Sequence, residues 1–291
     1  MMVLEDLKHE GSLRNISRIS GISLSGYYYK PVKRHIQRLD PSTRARIKDI
    51  ASERPIYGYR RVWAVLRNQG TKVNQKTVRK VLKDNNLSLP ASKNRGRTEY
   101  RNLFKPIGLD QLWETDITYI PTESVMTYLI CIKETFTKEW QGNHDSRSCI
   151  VRDAIRSVEN AVLPAFNGTV PEGLVLGTDN GPQYISKEFR SAMKLLGIKL
   201  EYIQKHTPED NGNIESFHNS IRTDYIWPNE FRNFNDASIE IEKAFYDYNE
   251  CRPNSSIDYP LPREFRRKFL NEAAFRERFE KKEVEVKLDE N

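Results

Sequence analysis

Three carboxylates between residues 116 and 215 stand where acidic side chains could share one cleft. Asp116 lies on the polar side of the alternating segment 112–120, Asp179 follows the apolar run 173–178, and Glu215 lies in a segment with helical spacing. Converging carboxylates repel one another unless cations lie between them. Carboxylate oxygens favour Mg²⁺ or Mn²⁺, and two such ions can stabilise both oxygens of a phosphodiester displacement. We therefore interpret the three acids as metal ligands of a catalytic site.

Each of these acids also has an ordinary structural explanation. Asp179 precedes Asn180 and Gly181 and fits a turn, while Glu215 fits a solvent-facing position on a helix. The chain contains 40 Asp and Glu residues, so an isolated surface carboxylate is the commoner explanation for any one of them. Only their combination, on different elements, indicates a metal site.

The elements that must position the acids alternate between strands and helices. Strands are predicted at 112–120, 128–132, 173–178 and 198–203, and helices at 147–163, 186–196 and 213–225, with Pro164 ending the first of these. On the first strand Trp113 and Ile117 face one way, and Glu114 and Asp116 face the other. Such alternation is typical of an α/β layer structure.

The amino-terminal third of the chain is strongly basic. Residues 1–105 contain 24 Lys and Arg against 8 Asp and Glu, whereas residues 106–291 contain 23 against 32. Asymmetry on this scale favours nucleic-acid binding by the first part.

Three short helices are predicted between residues 40 and 87. Asp40-Pro41 is a typical helix start, a second helix fits from about Tyr59, and Gly70 fits its end. The third helix begins near Asn74 and is basic on its outer face, through Lys76, Arg79, Lys80 and Lys83. This pattern indicates a helix-turn-helix whose last helix contacts DNA. A helical bundle kept soluble by its cations is the alternative.

The predicted organisation has four parts. Residues 1–89 form a helical DNA-binding region, in which residues 12–27 also fit two short helices with a turn at Gly21. Residues 90–106 form a basic linker, residues 107–270 the catalytic core, and residues 271–291 a charged tail.

Several classes of protein are not indicated. The three cysteines are far apart and form no CxxC pair, so neither a zinc site nor a disulfide framework is expected. We expect reduced thiols in a cytoplasmic, nucleoid-associated protein. The first residues lack the apolar segment of a signal peptide. No apolar stretch has the length of a membrane span, so no membrane partner is expected.

Three segments around the acids resemble those of insertion-sequence transposases with a retroviral-integrase-type core. They are 113–119 (WETDITY), 178–184 (TDNGPQY) and 210–217 (DNGNIESF), and the 35 residues between Asp179 and Glu215 match the D-D-35-E spacing of that family. Segments 57–61, 74–78, 248–254 and 262–265 are similar to the helix-turn-helix module and the carboxyl-terminal part of the family.

This resemblance implies an RNase H-like core, a mixed five-stranded sheet flanked by helices. It implies that Asp116, Asp179 and Glu215 hold two Mg²⁺ or Mn²⁺ ions, and that Arg222 contacts phosphate with help from Lys205 or Asn211. The reaction would be strand cleavage at the ends of the element, followed by transfer of the freed 3′-hydroxyl into target DNA. The implied partners are the terminal inverted repeats, target DNA, further copies of the chain and a protein from an upstream reading frame.

The chain departs from the family at Glu134, where aspartate is usual, and at Asn143, where tryptophan is common. Two other functions use the same residues. One is a non-catalytic copy that only binds DNA, against which the three intact acids argue. The other is a nuclease that cuts RNA–DNA hybrids, against which the helix-turn-helix argues.

Overall fold

The computed structural model describes residues 12–21, 39–90, 106–202 and 212–279. Contacts divide the chain into two compact units, Met1–Asp40 and Pro41–Asn291. In the first unit, helix α1 spans Leu13–Ser20 and Gly21 follows it with a φ of 69°. The predicted first helix and turn are therefore confirmed, whereas the predicted second helix lies outside the described residues.

The second unit begins with three helices that share a small core. They are α2 (Pro41–Glu53), α3 (Tyr59–Asn68) and α4 (Gln75–Asp84). Their buried residues recur at helical spacing, because one face of each helix packs against the other two: Ile47, Ile50, Val62, Leu66, Val78, Val81 and Leu82. The Asn74 side chain accepts a hydrogen bond from the Lys76 N–H at 2.8 Å and so caps α4. The three predicted helices are confirmed.

Five strands form one mixed sheet. They are β1 (Leu112–Pro121), β2 (Met126–Glu134), β3 (Trp140–Ser146), β4 (Val175–Thr178) and β5 (Lys199–Tyr202), in the spatial order β3-β2-β1-β4-β5. The pairs β1–β2 and β2–β3 are antiparallel, while β1–β4 and β4–β5 are parallel. The mixed five-stranded sheet implied by the resemblance is confirmed, and so is the helical region before it.

Helices cover both faces of this sheet. The helices of the core are α5 (Val151–Phe166), the short α6 (Pro182–Ile185), α7 (Lys187–Leu195), α8 (Gly212–Ile221), α9 (Phe234–Glu250) and α10 (Pro262–Asn271). One face packs Trp113, Ile130 and Ile132 against apolar residues of α5 and α7. The opposite face packs Ile120, Leu129 and Cys131 against α8 and α9. Since side chains alternate along β1, Asp116 shares the second face with Ile120.

Two local predictions were wrong. Pro164 does not end the long helix, because α5 continues to Phe166 and ends at Asn167, which has a φ of 51°. The predicted helix 213–225 is not uniform, since α8 stops at Ile221 and a π-helical turn follows over Arg222–Ile226. Strand β3 was not predicted from its residues, because WQGNHDS has neither strict alternation nor strong strand formers.

The carboxyl-terminal segment 262–279 packs on the turn between β2 and β3. Phe265 and Phe269 of α10 pack on Phe136, and Phe275 and Phe279 pack on Phe265. Within the described ranges, Cys131, Cys149 and Cys251 are free thiols. None of the helices described is long and apolar enough to cross a membrane.

Candidate active site

Asp116 and Asp179 lie side by side on neighbouring strands. The parallel register pairs Leu112 with Val175 and Glu114 with Gly177, so continuing it by two residues brings Asp116 level with Asp179. Adjacent strands are about 4.8 Å apart. Asp179 is the first residue after β4, where the strand ends and an α/β sheet presents side chains to a crevice.

The two carboxylates influence each other. Asp116 Oδ1 accepts a hydrogen bond from the Ile117 N–H at 2.8 Å, and Asp179 Oδ1 accepts one from the Gly181 N–H at 2.9 Å. Burial raises the pKa of Asp179, the hydrogen bond from the Gly181 N–H lowers it in part, and the negative charge of Asp116 adds a smaller increase. The site is therefore one in which two negative charges are held close together at a cost.

Glu215 is near this pair in the fold but does not join it. Its side chain is exposed in the first turn of α8, which packs against β1. Among residues 12–21, 39–90, 106–202 and 212–279, no group of three or more His, Cys, Asp or Glu side chains is arranged to hold a metal ion. The structure thus brings Asp116 and Asp179 together and leaves Glu215 in solvent on the adjoining helix.

His218 of α8 contacts Asp116, one member of the pair. Its ring is completely buried, and its Nδ1 is 3.3 Å from Asp116 Oδ2. His218 follows Glu215 by three residues, so both lie on one side of the helix. The spacing from Glu215 was visible in the sequence, but the contact with Asp116 was not.

A buried cluster of charges anchors the start of α8. Lys133 Nζ donates a hydrogen bond to the Asn213 carbonyl oxygen at 2.8 Å, and Lys138 Nζ donates one to Asn213 Oδ1 at 3.4 Å. Lys133 is the cross-strand partner of Glu114, which is also buried. Burial raises the pKa of Glu114 and lowers the pKa of Lys133 to about 7. The only sequence signal for this cluster was a lysine at the end of the apolar run in β2.

Glu134, the departure from the family pattern, has a structural role. Its carboxylate accepts hydrogen bonds from the Phe136 N–H at 3.0 Å and from the N–H and hydroxyl of Thr137, both at 2.5 Å. It therefore closes the turn between β2 and β3 and does not touch the acidic pair.

Arg222 begins the π-helical turn after α8, and its guanidinium is partly buried with Nε lacking a hydrogen-bond partner within the described part of the chain. Two residues later, Asp224 Oδ2 binds Arg252 Nε at 2.7 Å and Arg61 Nη1 at 3.3 Å. Arg61 belongs to α3, so the turn that follows the Glu215 helix also holds the helix-turn-helix module. Lys205 and Asn211 lie outside the described residues.

The basic face of α4 is open to solvent. Its four predicted DNA contacts all have exposed side chains: Lys76, Arg79, Lys80 and Lys83. The face opposite is the buried one, through Val78, Val81 and Leu82. The cations are thus free to meet an anionic partner.

Comparison with protein families matches three stretches of the chain. An HTH-like domain matches residues 40–95, and two models of an integrase core domain match residues 109–208 and 196–262. Together they cover the helix-turn-helix module, the sheet and the helix that carries Glu215.

Similar proteins are found among transposases. The transposase InsD of insertion element IS2 from Escherichia coli is 30% identical over 249 residues, 78% of this chain and 79% of InsD. The transposase of IS904 from Lactococcus lactis is 28% identical over 228 residues, 72% of this chain and 87% of that protein.

Among solved structures, a chain of the simian T-cell lymphotropic virus intasome is 20% identical in sequence. The match covers 72% of this chain and 70% of the intasome chain, with a TM-score of 0.44. The HTLV-2 integrase catalytic core domain in complex with magnesium is 21% identical. That match covers 56% of this chain and 97% of the HTLV-2 domain, with a TM-score of 0.38.

Proposed function

Because the chain belongs to the insertion-sequence transposases with an integrase core, we propose that Asp116, Asp179 and Glu215 form the active site of this DNA transposase. The observation that carries the proposal is the level position of Asp116 and Asp179 on neighbouring parallel strands. Glu215 supports it, because it lies one helical turn before His218, the residue that contacts Asp116.

The residues fit divalent cations. Asp116 and Asp179 offer hard oxygen donors, and burial together with the nearby Asp116 charge raises the pKa of Asp179. A cation between the two carboxylates would relieve their repulsion. Asp116, Asp179 and Glu215 would hold Mg²⁺ or Mn²⁺, two ions in the complete site. When bound, these ions stabilise the charge on the attacking and leaving oxygens of a phosphodiester displacement.

The reaction proceeds in two displacements. Water attacks a phosphodiester at the end of the element, and the bond to the 3′-oxygen breaks, which leaves a 3′-hydroxyl. That hydroxyl then attacks a phosphodiester of target DNA and displaces another 3′-oxygen, so one bond forms as one breaks. Arg222 stands after the Glu215 helix and would contact phosphate, and the cations of α4 would hold the duplex. Lys205 and Asn211 would assist near the reacting phosphate.

We further propose that the chain acts on DNA as a homo-oligomer, on terminal inverted repeats and target together. A companion protein from an upstream reading frame is a second partner. Sedimentation of the chain with end duplex, alone and after addition of the companion, tests both. A single copy per duplex under all conditions would argue against the assembly.

The function is tested by strand transfer from a duplex that carries the ends of the element, in Mg²⁺. Asp116→Asn, Asp179→Asn and Glu215→Gln should each lower the rate about a thousandfold or more, since metal ions supply several kcal/mol of transition-state stabilisation. Glu188→Gln, an exposed acid on α7, is the matched control and should leave the rate unchanged.

Retained activity in Asp116→Asn would overturn the assignment of the site. Binding of end duplex by the unmodified chain without any metal-dependent joining would favour a non-catalytic DNA-binding protein. Cleavage confined to RNA–DNA hybrids would favour a nuclease.

A further inference from the structure

His218 occupies a position where an apolar side chain would be expected. The neighbouring buried positions of α8 are Ile214, Phe217 and Ile221, and His218 is as completely buried as they are. In the described residues, neither ring nitrogen of His218 has an aligned hydrogen-bond partner. Burying a polar group without a hydrogen-bond partner costs free energy. A buried histidine at this position therefore suggests that one of its ring nitrogens has a role.

Asp116 is the polar group that Nδ1 meets. The 3.3 Å distance to Asp116 Oδ2 is within contact range, although the atoms do not yet have hydrogen-bond alignment. Catalytic hydrogen bonds are often long or poorly aligned before the reacting complex forms. The other oxygen, Asp116 Oδ1, already accepts from the Ile117 N–H. A hydrogen bond from Nδ1 would therefore fix both oxygens, and the remaining lone pairs stay available to a cation.

We propose that His218 is a positioning residue: its Nδ1–H orients the Asp116 carboxylate and sets the distance between β1 and the helix that carries Glu215. The proposal rests on the proposed function, because orientation of Asp116 matters only if that carboxylate binds metal. Outer-sphere hydrogen bonds of this kind fix the direction of a metal ligand.

The alternative is that His218 only fills the core. Two variants separate these roles. His218→Phe keeps an aromatic ring and removes the donor. His218→Asn loses ring volume but keeps an N–H donor on Cγ, the same number of bonds from Cα as Nδ1. A packing role favours Phe, whereas a positioning role favours Asn.

The experiment is a calorimetric titration of the full chain with Mn²⁺, accompanied by thermal unfolding without added metal. His218→Phe should weaken Mn²⁺ binding about 10- to 100-fold, as expected for loss of an outer-sphere partner, while His218→Asn should stay within about threefold of the unmodified chain. His218→Leu replaces His218→Phe if that variant does not fold. Asp116→Asn is the reference for loss of the ligand itself.

Two results would overturn the inference. One is binding by His218→Phe or His218→Leu that is indistinguishable from the unmodified chain while Asp116→Asn binds weakly, which leaves the proposed active site intact. The other is equal weakening in His218→Asn and His218→Phe, which assigns the residue to packing. If Asp116→Asn binds Mn²⁺ as well as the unmodified chain, the proposed function fails instead.

Discussion

Arg61 and Asp224 are separated by 163 residues in the chain, and a guanidinium nitrogen of one is 3.3 Å from a carboxylate oxygen of the other. Asp224 also binds Arg252, and a parallel link joins Arg54 to Asp247, which accepts a hydrogen bond from the Tyr225 hydroxyl. The helix-turn-helix module is thus fastened by ion pairs to the turn that follows the Glu215 helix.

Removing Asp224 should destabilise the chain strongly. In Asp224→Ala two arginines lose their shared partner, and only 4% of the Arg252 side chain is exposed to solvent. Breaking a buried ion pair from one side costs about 3 kcal/mol or more. Urea unfolding should show this loss.

The matched control for Asp224 is Glu240→Ala, which removes the partner of the exposed Lys243 in an ordinary i,i+3 pair. Its effect should stay below about 0.5 kcal/mol. Equal effects of the two substitutions would show that the Arg61–Asp224–Arg252 link does not hold the structure.

Lys133 should make stability depend on pH. Its pKa is lowered from 10.5 to about 7 in the folded chain, so unfolding takes up a proton between these values. Stability should therefore rise with pH across that window, by at most about 1.4 kcal/mol per pH unit.

The measurement compares urea midpoints of the unmodified chain and Lys133→Met at pH 7.5 and 9. The unmodified chain should gain more on going to the higher pH. Lys243→Met, which removes an exposed lysine, should follow the unmodified chain. Parallel pH profiles for all three would show that Lys133 keeps its ordinary pKa.

Gly142 should tolerate no side chain. A Cβ at this position would lie 2.7 Å from the Ala161 Cα and 2.8 Å from its backbone nitrogen, because β3 and α5 approach closely there. Gly142→Ala should cost about 1–3 kcal/mol, the usual penalty for overpacking a core. At Gly108 a Cβ meets only the Gln111 side chain at 3.4 Å, so Gly108→Ala is the control. An unchanged melting temperature in Gly142→Ala would contradict the prediction and show that β3 and α5 can move apart to admit the methyl group.

The cations of α4 should account for part of the salt dependence of DNA binding. Each substitution of Lys76, Arg79, Lys80 or Lys83 by alanine should reduce the slope of log K against log salt by about 1 if that residue contacts phosphate. Lys48→Ala removes an exposed lysine from α2 of the same module and should leave the slope unchanged. Fluorescence anisotropy with an end duplex, at salt concentrations from roughly 50 to 200 mM, measures this slope.

The sequence predicted what periodicity and spacing encode. Alternation along 112–120 predicted that Asp116 and Trp113 lie on opposite faces of the sheet. The structure confirms this, because Trp113 belongs to the apolar cluster on one face, whereas Ile120, which shares the face of Asp116, belongs to the cluster on the other. The three helices of residues 41–84 followed from caps and apolar spacing in the same way. These features depend on residues close together in the chain, so local patterns are sufficient to find them.

The rest depended on contacts between distant segments. The pairing of His218 with Asp116, of Lys133 with Asn213, and of Arg61 with Asp224 joins residues 80 or more positions apart. Strand β3 exists because β2 offers it a partner, although its own residues have weak strand propensity. The catalytic assignment of the three acids, the metal ions and the DNA contacts stay predictions for the experiments above.

The link between Arg61 and Asp224 also has a consequence for the newly made protein. A ribosome adds about 5–20 residues per second, so roughly 10–30 s separate the synthesis of Arg61 from that of Asp224. During that interval Arg61 of the helix-turn-helix module has been synthesised, but its carboxylate partner Asp224 has not. The unfinished chain therefore presents more positive charge to nearby nucleic acid than the finished one does.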